Sequence, residues 1–479
     1  MGLDRDEARS PPSPNRFARR RHRQGVFRNR AAHGRSPAHG VALDCLAAGI
    51  RGADPLQATL DALAVDDDRL TVATDVSTTV DLDGFDRVLV LGGGKAATGV
   101  VRAIDTRLGE RVSDGLIVVP EDDPAVGESI GAVAVEAGGH PVPTPGSVAA
   151  TERLLELAGS ADERTLVLTV VTGGASALLA APAGDLSVGD LRRTTRALLD
   201  AGADIEAINT VRKHTSQVKG GRIATAAAPA TLHTLAVSDV VGDPPSVIGS
   251  GPTVPDGTTY ADALAVFTRY GIDVPAVRRH LDAGEAGEHP ETPGTGGSTL
   301  PPSSVHVVAG ARTAIDAASA AAAEQGYEPC VLASRVRGEA REAAPTHVAI
   351  AAEVATEGDP VEPPAVLLSG GETTVDVHGQ GEGGPNTEFA LAAALSLTTG
   401  DAVGAVVGAV DTDGRDGATD AAGALVDAGT VTDRDGARDA LERNDSLGYL
   451  SGRDAALLTG PTGTNVNDLR VLVVPDRSG

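Results

Sequence analysis

The stretch RVLVLGGGKAATGVVRA, residues 87–103, carries the decision about the fold. Val88, Leu89, Val90 and Leu91 make a short apolar run, the pattern of a strand buried on both faces. The run halts at Gly92, Gly93 and Gly94, passes through Lys95, and enters a small-residue segment able to open a helix. A strand–glycine–helix turn offers bare backbone N–H groups and a helix N-terminus, both suited to an anion. A phosphate held there belongs either to a dinucleotide that lends a hydride or to a nucleotide that gives up a phosphoryl group.

From about residue 42, short apolar runs alternate with alanine-rich helical patterns. Strands are expected at 87–92, 115–120, 165–171 and 232–238, and helices at 147–159, 188–202 and 260–270. This alternation specifies an α/β fold with a mainly parallel sheet. Residues 284–304, GEAGEHPETPGTGGSTLPPSS, read as a linker because Gly, Pro, Ser and Thr dominate and apolar residues are few. A second α/β unit follows, with strands near 305–309, 329–333, 365–369, 403–410 and 470–474. The expected organisation is a basic extension over 1–40, an N-terminal domain over 41–283, the linker, and a C-terminal domain over 305–479. The extension holds ten arginines and three acids without an apolar core segment. It is expected to be disordered, or to reflect a start placed upstream of the true one, and it is not a secretory signal.

The 479 residues include 66 acids against 40 basic residues, a formal net charge of −26. That balance disfavours nucleic acid and anionic membranes as generic partners. No run approaches the roughly 20 apolar residues of a membrane span. Cys45 and Cys330 are far apart and make no metal-ligand pattern, as expected of a reduced cytoplasmic protein. Only three lysines occur, Lys95, Lys213 and Lys219, among 37 arginines. An acidic, lysine-poor surface fits a haloarchaeal-like cytoplasm of molar salt, which screens self-repulsion; a GC-rich genome would also favour arginine. All three lysines stand in glycine-rich or charged motifs, which makes them the leading functional candidates.

Other segments repeat the strand-then-loop logic. LTVVTGGASALL (167–178) places Gly173, Gly174 and Ser176 where a carboxylate or phosphate could sit, or where Ser176 simply caps a helix. In NTVRKHTSQVKGGRIA (209–224), Asn209, Arg212, Lys213 and Ser216 share a helical face, with Lys219 one turn on. This face points to an anionic ligand. LAVSDVVGDPPSVIGSGPTVPD (235–256) supplies Asp239 and Asp243, suited to a hydroxyl proton or a divalent cation. Asp411, Asp413, Asp416 and Asp420 lie in 407–427, without the preceding helix and twelfth-position Glu of an EF-hand. Gly460, Thr462, Thr464 and Asn465 precede a final strand and offer donors to phosphate, and His140 precedes a proline-rich turn.

Together GGGKAA, GGHPVP, TGGASALL, NTVRKHTSQVKGGRIA, SDVVGDPPSVIGSGPTVPD, SGGETTV, VDTDGRDGATDAAGALVD and GPTGTNVNDL, in that order across residues 41–475, resemble the glycerate 2-kinase family, whose C-terminal part is the MOFRL domain. The resemblance implies transfer of the γ-phosphoryl of ATP to D-glycerate with Mg²⁺ or another divalent cation. It also implies a Rossmann-like three-layer N-terminal domain, a second α/β domain with a mixed sheet, and a site between them. Lys95 occupies the family's catalytic lysine motif. The family's Gly-Gly-Arg-Asn-Gln-Glu is here Gly383-Gly384-Pro385-Asn386-Thr387-Glu388. The role of the arginine replaced by Pro385 must therefore pass to another cation, Arg415 or Arg212, or the substrate preference has moved.

The expected roles follow. Lys95, Asp239 and Asp413 are the catalytic candidates. Gly92, Gly93, Gly94, Gly173, Gly174, Ser176, Lys219, Gly460, Thr462, Thr464 and Asn465 are expected to bind phosphate. Asn209, Arg212, Lys213, Asn386 and Glu388 are expected to bind substrate, and Asp243, Asp411 and Asp416 a metal. The expected assembly is a monomer or homodimer. A hydroxypyruvate or tartronate semialdehyde reductase is the alternative kept open by G-x-G-x-x-A at residues 92–97. Against it, the acid expected about 20 residues on is absent, and Glu121 comes 29 after Gly92. A non-catalytic sensor of phosphorylated metabolites is a third, needing the anion sites but no base or metal.

Overall fold

The structure, a computed structural model, describes residues 25–295, 300–402 and 404–476. Residues 1–24 of the expected extension and 296–299 of the expected linker lie outside them. Helix α1 (Pro37–Gly52) is capped by Ser36 and starts with proline at its first position, where the missing N–H costs nothing. An antiparallel meander follows, β1 (Leu63–Asp66), β2 (Arg69–Val72) and β3 (Thr78–Asp81).

The first large sheet is built from β4 (Arg87–Gly93), helix α2 (Ala97–Leu108), β5 (Asp114–Pro120), β6 (Ser129–Ile130), β7 (Val133–Gly138), α3 (Pro145–Gly159), β8 (Thr165–Thr172), α4 (Val188–Asp200), α5 (Ile205–His214), β9 (Thr231–Val237) and β10 (Ser303–Ala309). Its strand order is β10-β9-β8-β4-β5-β7-β6, parallel except for β6. All eight residues of β8 are buried, as a central parallel strand requires. From β4 the chain runs to one side through β5 and β7, then returns to β8 on the other side. The loops after β4 and β8 thus part in opposite directions and open a crevice at the carboxyl ends. Lys95 stands in the first loop and Gly173 in the second.

The second sheet follows α6 (Ala311–Glu324): β11 (Glu328–Val336), α7 (Ala340–Thr356), β12 (Ala365–Gly371), α8 (Pro385–Leu397), β13 (Val406–Asp411), β14 (Gly423–Asp427), β15 (Ala456–Leu457) and β16 (Asp468–Val474). Its order is β11-β12-β16-β13-β14-β15; only β11 and β12 are parallel. The chain therefore forms two α/β units, one mainly parallel and one mixed. The strand expected to open the second unit instead completes the first sheet, where Val305 pairs with Thr234.

The N-terminal segment also departs from expectation. Residues 25–40 are packed on the second unit. Phe27 is buried, and Asn29 donates to the Ala456 carbonyl and accepts from the Leu458 amide. Helix α1 then runs between α6 and the second sheet: a Cβ on Gly49 would lie 2.3 Å from Leu469 Cδ2 and 2.9 Å from the Ala314 carbonyl oxygen. Residues 41–52, expected in the first domain, thus pack as a layer against the second sheet. Part of the expected linker is packed too: Thr292 is buried and donates to Asp256.

Candidate active site

Lys95 is exposed at the tip of β4. The glycines before it do not cradle an anion. Gly92 and Gly93 are inside β4, paired on both sides. The amides of Gly94, Lys95 and Ala96 donate to the Val118 carbonyl, the Gly173 carbonyl and Thr172 Oγ1. Phosphate binding by Gly92, Gly93 and Gly94 is therefore corrected: their N–H groups are spent inside the sheet. Their purpose is close approach. At φ +132°, a Cβ on Gly94 would sit 2.0 Å from Thr172 Oγ1. What the turn presents is the Lys95 side chain.

The loop after β8 differs. Gly174, at φ +83°, precedes a single helical turn, and the amides of Gly174, Ala175 and Ser176 have no acceptor among the described residues. Gly173 packs against the Asp239 carboxylate, and Gly174 against His140 and the Lys95 stem. Lys95, His140, Asp239 and this turn thus converge. Burial raises the Asp239 carboxyl above its ordinary range, opposed by the Lys95 charge. Burial and the same lysine hold His140 below its usual value.

Behind the turn lies a cavity lined by Ser176, Arg212 and Lys219. Ser176 Oγ is 2.7 Å from Ser250 Oγ, which donates to Asn209 Oδ1. Lys219 Nζ donates to the Ser176 and Leu179 carbonyls at 2.8 and 3.2 Å. Arg212 is half-buried and has no carboxylate partner among the described residues. Its neighbour Lys213, expected to clamp substrate, is instead buried in an ion pair with Asp256 at 2.9 Å.

The second sheet contributes carboxylates through its register. Gly371 and Asp411 both pair with Asp468, so the ends of β12, β13 and β16 bring Glu372, Asp411 and Asp468 together. Burial, Asp468 and then Asp239 raise the Glu372 carboxyl; the cluster therefore faces the first unit's site. Burial and then Asp413 push Asp411 well above its ordinary value. Arg335, beside Asp243, and Arg337, which donates to the Val241 carbonyl at 3.3 Å, tie the end of β11 to the loop after β9.

Residues 41–282 match a domain of unknown function, DUF4147, and residues 365–468 match the MOFRL family. D-glycerate 2-kinase of Thermotoga maritima is 38% identical over 396 residues, 80% of this chain and 90% of that protein. Glycerate 2-kinase of Pyrococcus horikoshii is 37% identical over 447 residues, 92% of this chain and 98% of that one. The crystal structure of glycerate kinase from Thermotoga maritima superposes with a TM-score of 0.79 at 35% identity, covering 91% of this chain and 99% of that one. The chain belongs to the glycerate 2-kinase family. An Agrobacterium vitis relative whose name proposes a hydroxypyruvate reductase is 40% identical over 81% of this chain and 87% of that one, so the same fold carries both names.

Several expected site residues of this glycerate 2-kinase family member are occupied internally. Asp416 caps α8, accepting from the Asn386 and Thr387 amides at 2.8 and 2.7 Å and from Thr387 Oγ1; it is not free for a metal. Asp243 lies beside Arg335, Ser238 and Asp75, so Asp243, Asp411 and Asp416 do not assemble. Glu388 holds Arg341 at 2.8 Å, and Asn386 donates to Asp468 at 2.7 Å. Thr462 and Thr464 donate to the Thr412 and Ile50 carbonyls, and Gly460 packs against Arg28. Asn465 Oδ1 accepts from the Asn467 amide, and Asp413 accepts from the Arg415 amide. Arg415, proposed as a substitute cation, is exposed and pairs with Asp420. Glu372 and Asp468 were not singled out in the sequence reading, although both lie in the quoted motifs SGGETTV and GPTGTNVNDL.

Proposed function

We infer that this chain is an ATP-dependent glycerate 2-kinase, transferring the γ-phosphoryl group to D-glycerate and giving 2-phosphoglycerate. The observation that carries the reading is the near full-length likeness to the Thermotoga and Pyrococcus enzymes. The geometry supports it: Lys95 stands at the sheet's switch point beside the half-buried Asp239 carboxylate. Phosphoryl transfer asks chiefly for positioning and charge compensation. Lys95 offsets the charge on the moving group, the amides of residues 174–176 face its oxygens, and Asp239 accepts the C2 hydroxyl proton as the oxygen attacks. Asp239 takes this role ahead of Asp413 because it shares the Lys95 loop cluster. Cleft walls from both units exclude water, the competing acceptor.

Among the described residues no three His, Cys, Asp or Glu side chains converge as a metal cage. Magnesium carried on nucleotide phosphates needs only one or two protein carboxylates. Glu372 and Asp411, each opposed by neighbouring carboxylates, fit that demand and would hold it. A bound divalent cation supplies charge compensation on the phosphates.

A reductase finds less support, because a dinucleotide turn needs the amides that Gly94, Lys95 and Ala96 have already spent. Among the described residues no helix is long and apolar enough to cross a membrane. The test is turnover with ATP, Mg²⁺ and D-glycerate, with identification of the phosphoglycerate isomer, beside NADH or NADPH with hydroxypyruvate. ATP-dependent 2-phosphoglycerate is expected; nicotinamide oxidation without phosphoryl transfer would overturn the reading.

A further inference from the structure

The cavity behind the Gly174 turn has a composition that the phosphoryl-transfer site does not explain. Its apolar wall is Pro141, Pro143, Leu191, Leu198 and Val211, and its polar end is Ser176, Arg212 and Lys219. In a chain of net charge −26, an arginine at such a wall without a carboxylate is unexpected, since buried charges are paired. The two cations differ. Lys219 is tied to two carbonyl oxygens and holds the 176–179 turn in place. Arg212 reaches the cavity with its guanidinium uncommitted. Ser250 is held at φ +65° between Gly249 at +58° and Gly251 at +62°, a backbone that side chains other than glycine seldom adopt. The result is to hold its hydroxyl on Ser176 at the cavity's polar end.

We propose that this cavity is the acceptor's carboxylate pocket, in which Arg212 binds the carboxylate of a short 2-hydroxy acid and the apolar wall limits the chain beyond C2. The proposal rests on the kinase reading and deepens it. A guanidinium suits a carboxylate because its planar fork donates two parallel hydrogen bonds. Ser176 lines the cavity two residues after Gly174, which packs on Lys95. In the proposed pose a carboxylate on Arg212 has its adjacent C2 hydroxyl toward the Lys95 side of the turn. Leu191 and Leu198, from one face of α4, close the far end.

Lys219 adds a proton signature. Burial and then Arg212 hold it down to about 7. Its neutral amine has two N–H groups for its two carbonyl partners. Arg212 is the charged group beside it; Ser176, Thr215 and Ser216 are uncharged. A carboxylate that neutralises Arg212 would raise Lys219, and binding just above neutral pH would take up a proton.

The test uses the full chain and D-glycerate as the probe. Arg212→Gln is expected to raise the D-glycerate KM by about 100-fold with the ATP KM unchanged, and Arg212→Lys to recover part of the loss. Leu191→Ala is expected to raise kcat/KM for 2,3-dihydroxybutanoate relative to D-glycerate. Calorimetry of D-glycerate with a non-hydrolysable ATP analogue, in buffers of different ionisation enthalpy, separates this proposal from the reaction beneath it. Binding with proton uptake that Arg212→Gln abolishes supports the pocket even where phosphoryl transfer fails. Equal binding by the folded variant and the parent overturns the pocket even where the kinase stands.

Discussion

At the scale of single residues, the three lysines do three different things. Lys95 is exposed and makes no side-chain hydrogen bond among the described residues, so Lys95→Ala should leave the melting temperature unchanged. Its kcat should fall about 100- to 1,000-fold, the loss typical of a charge-stabilising donor, measured against an unchanged D-glycerate KM. Lys213 is structural. Lys213→Met would strand Asp256 in the core and should cost about 3 kcal/mol in denaturant unfolding, with KM unchanged in the protein that remains folded. Lysine scarcity in an acidic chain was sufficient to single out all three. It was not sufficient to sort them, because Asp256 lies 43 residues beyond Lys213 and only folding brings it underneath. As the proposed base, Asp239 must be ionised to accept the proton. Its carboxyl is raised, so ionisation is lost as pH falls through a point above the ordinary carboxylate range. The acid limb of the kcat profile should lie above that range, and Asp239→Asn should lose both turnover and that limb.

At the scale of elements, the strand–glycine–helix turn was legible as a turn and misread as a phosphate cradle. The reading took the amides to be bare. In the folded sheet, β5 and β8 lie close enough on either side to consume them. Gly94→Ala would drive its Cβ into Thr172 and hold a strained φ. It should cost about 2 kcal/mol and lower kcat by displacing Lys95, seen by thermal unfolding and initial rates together. One aspartate of the 411–420 loop was misread in a similar way. The spacing suggested a cation, but Asp416 serves the N-terminus of α8, where three donors need an acceptor. Asp416→Ala should destabilise the protein by about 2 kcal/mol, and added Mg²⁺ should not alter that loss.

At the scale of the whole molecule, the two units share one apolar core that runs from Phe27 and α1 through β4 and β8 to β16. Unfolding should therefore be a single calorimetric transition. Gly49→Val, which forces a branched side chain between α6 and Leu469, should lower the stability of both units together by about 3 kcal/mol rather than splitting the transition. By itself the sequence determined the α/β alternation and the strands that end at the Lys95 and Gly173 loops, because burial of a central strand leaves a local mark, and retention of a rare charge singled out Lys95 as a candidate. Only the tertiary structure decided that β10 belongs to the first sheet, that α1 packs against the second sheet, and that Glu372, Asp411 and Asp468 stand together. Those facts depend on strand order and register, which pair Gly371 with a residue 97 positions away, and no local pattern records a contact made across that distance.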